Sequence, residues 1–161
     1  MATVDHTTRS EVDQATRNEE AVRRAVEELM NKRNAAVVDE LFAPNYVGHS
    51  LWHQPHMPSY MEGKSEVEGI KAYFAKDDPN YENLHTTIDQ MISVDDKVVA
   101  VYTTTATRNG KQISRTDMEI DRFEDGRFVE SWWLWDRLGL YQQLGVVPST
   151  PELIKQAGLD M

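Results

Sequence analysis

The stretch Arg122-Phe123-Glu124-Asp125-Gly126-Arg127-Phe128-Val129-Glu130-Ser131-Trp132-Trp133-Leu134-Trp135-Asp136 decides how this chain folds. Glu124-Asp125-Gly126 is a turn signal between two runs of strand character, which predicts a hairpin. The last six residues hold three of the protein's four tryptophans and end on a carboxylate. In a strand, side chains alternate between faces. Trp132, Leu134 and Asp136 then share one face, and Ser131, Trp133 and Trp135 the other. A carboxylate at the end of an apolar row is costly to desolvate, and desolvation raises its pKa toward the range useful for proton transfer. Aspartate is also a favoured N-cap, and a helical pattern begins just after it, so residue type alone leaves both roles open.

Working upstream, Ile113 to Phe123 reads as the strand before the hairpin. Val98 to Thr107, rich in β-branched residues, precedes it across Asn109-Gly110, a strong hairpin signal. His85 to Val94 is a further strand, closed by Asp95-Asp96. Helices come first. Thr16-Arg17-Asn18-Glu19 has the form of a capping box, followed by Ala21, Val22, Ala25, Val26, Leu29 and Met30 at helical spacing, which predicts a helix over 17–33. A short helix over 35–42 stops before Pro44. Ser65-Glu66-Val67-Glu68 opens a third helix ending near Ala75. Between them, 45–63 is an aromatic, proline-bearing loop with one short strand at its start. Loops of this length in small domains are commonly functional. Downstream, 138–144 is a helical turn, and Ser149-Thr150-Pro151-Glu152 starts a short helix ending near Gly158. Helices followed by an antiparallel meander make the fold class α+β.

A chain of 161 residues suggests one domain. Residues 1–15 are expected to form a flexible tail ahead of a single domain over 16–161. With 17 basic and 27 acidic residues the net charge is −10, which argues against nucleic acid and anionic membrane surfaces as partners. There are no cysteines, so disulfides and thiolate chemistry are excluded. No segment is apolar enough to span a bilayer and none reads as a signal peptide, so the expected location is cytoplasmic.

The order of these elements, with Leu41-Phe42-Ala43-Pro44-Asn45-Tyr46-Val47, His49, Gly63, Asp95-Asp96-Lys97-Val98-Val99, Arg122 to Glu130, Trp132, Asp136 and Leu138-Gly139-Leu140-Tyr141-Gln142-Gln143-Leu144-Gly145, resembles the SnoaL-like polyketide cyclases of the NTF2-like superfamily. The resemblance covers about 17–147. It implies an NTF2-like cone, in which a curved antiparallel sheet wraps around N-terminal helices and encloses a pocket, commonly in a homodimer. It further implies cofactor-independent chemistry on a hydrophobic, carbonyl-bearing, polyketide-like small molecule. In this family an aspartate at the end of the last long strand acts as acid and base for an intramolecular aldol closure, and Asp136 sits at that place. A histidine is frequent where His49 stands.

On this reading Asp136 and His49 are the catalytic candidates. Trp132, Leu134, Tyr46, Trp52, His53, Met118 and Ile120 are the substrate-binding ones. Trp133 and Trp135 would then face a second subunit. Asp117, Glu119 and Asp121, three like charges on one strand face, read as a solvated row, with the alternative that Asp117 faces the pocket and pairs with Arg115 or Arg137. His49, His53 and His56 have no intervening carboxylate of a zinc motif, and Pro55 and Pro58 oppose a helix there, so no metal is expected. Two other functions share the fold: a hydrolase or dehydratase using the same pocket, and a non-catalytic small-molecule-binding or dimerisation module.

Overall fold

The computed structural model describes residues 6–51, 64–77 and 80–159. Helix α1 spans His6–Arg24 and runs on through a π-helical stretch, Ala25–Asn31. A 3₁₀ turn at Ala35–Val37 leads into α2 (Val38–Leu41), then β1 (Phe42–Ser50) and α3 (Glu66–Phe74). Four long strands follow: β2 (Glu82–Val94), β3 (Lys97–Arg108), β4 (Lys111–Glu124) and β5 (Arg127–Trp135). Short helices α4 (Arg137–Gln143) and α5 (Thr150–Ala157) close the chain.

The strands form one open sheet in the order β1-β5-β4-β3-β2, antiparallel except where β1 joins β5 in parallel. Two of its turns follow directly from sequence. Asn109-Gly110 and Asp125-Gly126 each place both central residues at positive φ, the mirror-image turn whose twist suits a hairpin. The capping box expected at Ser65 is present, with the Ser65 hydroxyl accepting the Glu68 amide while Glu68 accepts the Ser65 amide. Ser149 and Glu152 form a second.

The concave side of the sheet packs on α1 and its π-helical extension. Ala21, Val22, Ala25, Val26 and Leu29 are buried, as their spacing predicts, against Val98, Ala100, Tyr102, Phe123 and Phe128. Val22 and Leu29 retain 1% and 2% exposure. Full burial of such a side chain contributes roughly 1.5–3 kcal/mol, so this seam anchors the helix on the sheet.

Two expectations on the helical side change. α1 begins at His6, not near Arg17, so the expected 1–15 tail is helical from residue 6 onward. Thr16 is no cap; its hydroxyl donates to the Val12 carbonyl within the helix. Extending a formed helix costs little compared with nucleating one, and the buried turns beyond residue 18 supply the nucleus. The short strand expected at the start of the 45–63 loop is a nine-residue strand that already begins at Phe42, and the rest of that loop, from residue 52 to 63, lies outside the described residues. The strand lies at the sheet edge, the place where a strand tolerates a proline such as Pro44.

The most consequential correction concerns β5. Phe128 is in the core, and strict alternation from it would carry Glu130, Trp132, Leu134 and Asp136 inward. The ladder instead pairs Phe123 with Phe128 and Arg122 with Glu130, leaving Val129 as an extra residue on β5. This bulge shifts the alternation by one position. Beyond it Ser131, Trp133 and Trp135 face the concave side. Trp132 and Leu134 lie on the convex face, with Leu134 about half exposed. The partner strand is in step: Asp117, Glu119 and Asp121 are cavity-lining residues, while Met118 is exposed on the other face, which Ile120 shares.

Candidate active site

The concave face, α1 and α3 enclose a cavity of about 590 Å³. Its wall is mostly apolar and aromatic: Val26, Leu29 and Met30 from the π-helical stretch, Phe42 and Tyr46 from β1, Ile70, Tyr73 and Phe74 from α3, Tyr102 from β3, Phe128, Trp133 and Trp135 from β5. π-helical turns are rare and concentrate at functional sites, and this one supplies a whole side of the wall. Such a chamber, apolar with a few polar groups, is the usual form of a small-molecule site.

Its placement rests on a close backbone approach. The outer edge of the Trp133 indole lies over Gly48, and a Cβ built at 48 would stand 2.5 Å from the Trp133 ring. Only glycine leaves room for that ring.

Polar groups of the lining include Ser50, Glu66, Ser131 and Arg137, and β4 adds a row of carboxyls. Asp117, Glu119 and Asp121 project from the inner face of β4, not into solvent. Alternation along β4 is uninterrupted through Asp121, so burial of one commits all three. Their environments differ. Asp117 is paired with Arg115, Oδ1 lying 2.6 Å from Nε and Oδ2 accepting from Nη2 at 2.7 Å, and Oδ2 also accepts the Thr104 hydroxyl at 3.3 Å. Burial pushes its pKa up, and the Arg115 pair and the Thr104 bond oppose that rise. Asp121, 1% exposed, accepts a 2.5 Å bond from Ser131, and burial pushes its carboxyl up to about 7.

Glu119 has no hydrogen bond and no ion pair among the described residues, and it borders the cavity. Desolvation, then the charges of Asp121 and Asp117, hold its carboxyl well above the usual range, with Arg115 a smaller opposing influence. Tyr46 and Tyr102 are raised by burial and so stay neutral. Glu66, at the start of α3, is also raised by desolvation.

Of the residues the sequence pointed to, Tyr46 lines the cavity. Asp136 does not. It is exposed and caps α4, its Oδ1 accepting the Gly139 amide at 2.8 Å. His49 points to the convex face, where it stacks on Trp132 and bonds Glu130 at 2.9 Å. Together with Arg122, His49 holds the Glu130 carboxyl below its ordinary range. Trp132, Leu134, Met118 and Ile120 share that outer face. Trp133 and Trp135, expected in a subunit interface, form the cavity wall instead. Trp52, His53 and His56 lie outside the described residues. Among those described, no group of histidine and carboxylate side chains could hold a metal ion, and no helix is long and apolar enough to cross a membrane. Glu119 and Asp121 were missed because like charges in alternation read as a solvated face, whereas the alternative for Asp117, facing a cavity and paired with Arg115, is the arrangement found. The signal available was the uninterrupted parity with Phe123, one of the core residues.

The family model of the SnoaL-like polyketide cyclases matches residues 20–144. No curated protein sequence matches the chain at a significant level. Among solved structures, a candidate polyketide cyclase from Bacillus cereus is similar at 27% identity and a TM-score of 0.68, over 83% of each chain. TsrD from Streptomyces laurentii is similar at 23% identity and a TM-score of 0.68, over 82% of this chain and 97% of its own. A Catenulispora acidiphila protein with a ketosteroid isomerase-like fold, solved with trimethylamine, aligns at 17% identity and a TM-score of 0.62, over 78% of this chain and 92% of its own. The fold is thus of the NTF2-like, ketosteroid isomerase-like kind.

Proposed function

The chain belongs to the SnoaL-like polyketide cyclase family, and we propose that it is a cofactor-independent cyclase whose proton-transfer group is Glu119. The observation that carries this reading is a carboxyl with no partner among the described residues, bordering an aromatic cavity and held well above its ordinary pKa. A buried carboxyl whose pKa is shifted toward neutrality suits a general base that must also return its proton.

The substrate is a hydrophobic molecule with two carbonyl groups, of polyketide type. Ionised Glu119 takes a proton from the carbon between or beside the carbonyls, leaving an enolate. The enolate carbon attacks the second carbonyl of the same molecule, forming the ring carbon–carbon bond. The resulting alkoxide takes the proton back from Glu119, so the aldol product has the composition of the substrate. Asp121 tunes Glu119 by sharing the same desolvated wall, and Tyr46 and Tyr102 remain neutral there as hydroxyl groups. Asp117, engaged with Arg115, is the fixed charge of the row. Asp136 is assigned a structural role as the α4 cap in place of the catalytic one.

The protein is further proposed to form a homodimer through the convex face. Val47, Ile92, Met118 and Leu134 are each between 44% and 62% exposed, and Trp132 and Ile120 lie among the outer-face residues. Exposed apolar groups gathered on one sheet face favour a covering partner.

The test is exchange of the α-protons of 2-tetralone in D₂O, followed by NMR. Wild type is expected to accelerate exchange, and Glu119→Gln to lose at least about a hundredfold of that acceleration, the scale of a general base. Undiminished exchange by a folded Glu119→Gln protein defeats the assignment.

A further inference from the structure

A second chamber of about 150 Å³ adjoins the main cavity. The two share a wall of six residues: Met30, Tyr73, Phe74, Tyr102, Glu119 and Trp135. Beyond that waist the small chamber runs between β2, β3, β4 and α4. Its end is apolar, formed by Leu84, Ala106, Ile113 and Leu140. Ala106, Ile113 and Leu140 are a separate buried cluster, distinct from the main core. One side is polar and rigid. Arg115 is held by Asp117 and lies over the Trp135 ring, 4.8 Å from its centroid. Asp117 is bound in turn by Thr104, whose hydroxyl meets that of Thr86 at 3.0 Å, and Asn31 fixes the Thr86 backbone with bonds of 3.0 and 2.7 Å.

We infer that this chamber is a second substrate subsite, taking a short apolar arm that ends in a hydrogen-bond acceptor such as a carbonyl oxygen. The inference rests on the cavity reading above and adds to it. The large compartment receives a ring-sized body, Glu119 stands at the junction of the two, and the reacting carbon lies there. A guanidinium has five donors, and Arg115 commits one of them, on Nη2, in a hydrogen bond to Asp117, with Nε at ion-pair distance from Oδ1, so donors remain to meet a further acceptor in the chamber Arg115 lines. The Asn31–Thr86–Thr104–Asp117 chain keeps the orientation of the guanidinium fixed, which is the condition for discriminating one arm from another. Ala106 and Ile113 then set the permitted arm length.

Isothermal titration calorimetry with 2-naphthol and 6-acetyl-2-naphthol tests this. Wild type is expected to bind the acetyl compound about tenfold tighter or more, the usual scale for filling a matched apolar pocket. Ala106→Leu, which fills the chamber, is expected to abolish that difference while leaving 2-naphthol unaffected. Ile113→Ala, which enlarges it, is expected to shift preference toward 6-butanoyl-2-naphthol, and covers the case in which Ala106→Leu does not fold. Equal wild-type affinities for the first two probes, or a preference untouched by either substitution, overturn the subsite and leave Glu119 as the acid/base group. Absence of binding by both probes overturns the subsite together with the hydrophobic cavity reading it rests on.

Discussion

Glu119 on β4 and Trp133 on β5 are register partners across the antiparallel ladder, and both face the cavity. The pairing sets a carboxyl with no partner among the described residues beside an indole whose position depends on Gly48 of β1, so three strands fix the geometry around one titratable group. Directly opposed residues of an antiparallel pair interact side by side.

Gly48→Ala places a methyl group where the Trp133 ring lies. The clash falls on the far edge of the indole, so the ring must swing toward the cavity it lines to make room. The expected cost is about 1–3 kcal/mol of stability, as for overpacked cores, with a shift in tryptophan emission. Urea unfolding monitored by fluorescence checks both. Unchanged stability and emission contradict the described packing.

Burial raises the Asp121 pKa from 3.8 to about 7, so folding favours the protonated carboxyl. The stability this contributes is complete below the ordinary aspartate value and is lost as pH rises through about 7. Glu119, raised likewise, acts in the same direction. Wild-type stability is therefore expected to fall between about pH 5 and pH 8, and Asp121→Asn to flatten that decline. Denaturation midpoints across this range decide it. A wild-type midpoint that rises over this interval runs against the assignment.

Asp136→Ala removes the α4 cap. The expected loss is about 0.5–2 kcal/mol of stability, read by thermal or urea unfolding. Since α4 also supplies Leu140 to the small apolar cluster, the loss is expected to fall locally, with faster amide exchange in 137–143.

Leu134→Lys and Met118→Glu place charges on the convex face without touching the cavity. If that face is the dimer interface, sedimentation velocity will show wild-type dimers and variant monomers. A wild type that sediments as a monomer rules the interface out.

The long strands were legible because their signals are local. Threonine- and valine-rich runs and the Asn109-Gly110 and Asp125-Gly126 turns specify hairpins without reference to the rest of the chain. The buried stripe of α1 was legible for the same reason. What escaped reading was decided elsewhere in the molecule. Nothing in Phe128-Val129-Glu130 announces a bulge at Val129, yet that one residue exchanges the faces of the tryptophan strand. It sends Trp133 and Trp135 into the cavity and Trp132 and Leu134 outward. The acidic alternation of Asp117, Glu119 and Asp121 looks solvated until the helix layer above it is known. Asp136 carried a true local signal, that of an N-cap, while the carboxyls that border the cavity stand on the neighbouring strand β4.

The proposed proton carrier is the carboxyl of Glu119 on β4 and not the carboxyl at the end of β5. Side-by-side rates of 2-tetralone α-proton exchange for Glu119→Gln and Asp136→Asn test it most directly. Glu119→Gln is expected to lose at least about a hundredfold, with Asp136→Asn, asparagine being an equal cap, close to wild type. Full exchange in Glu119→Gln with loss in Asp136→Asn would contradict this assignment.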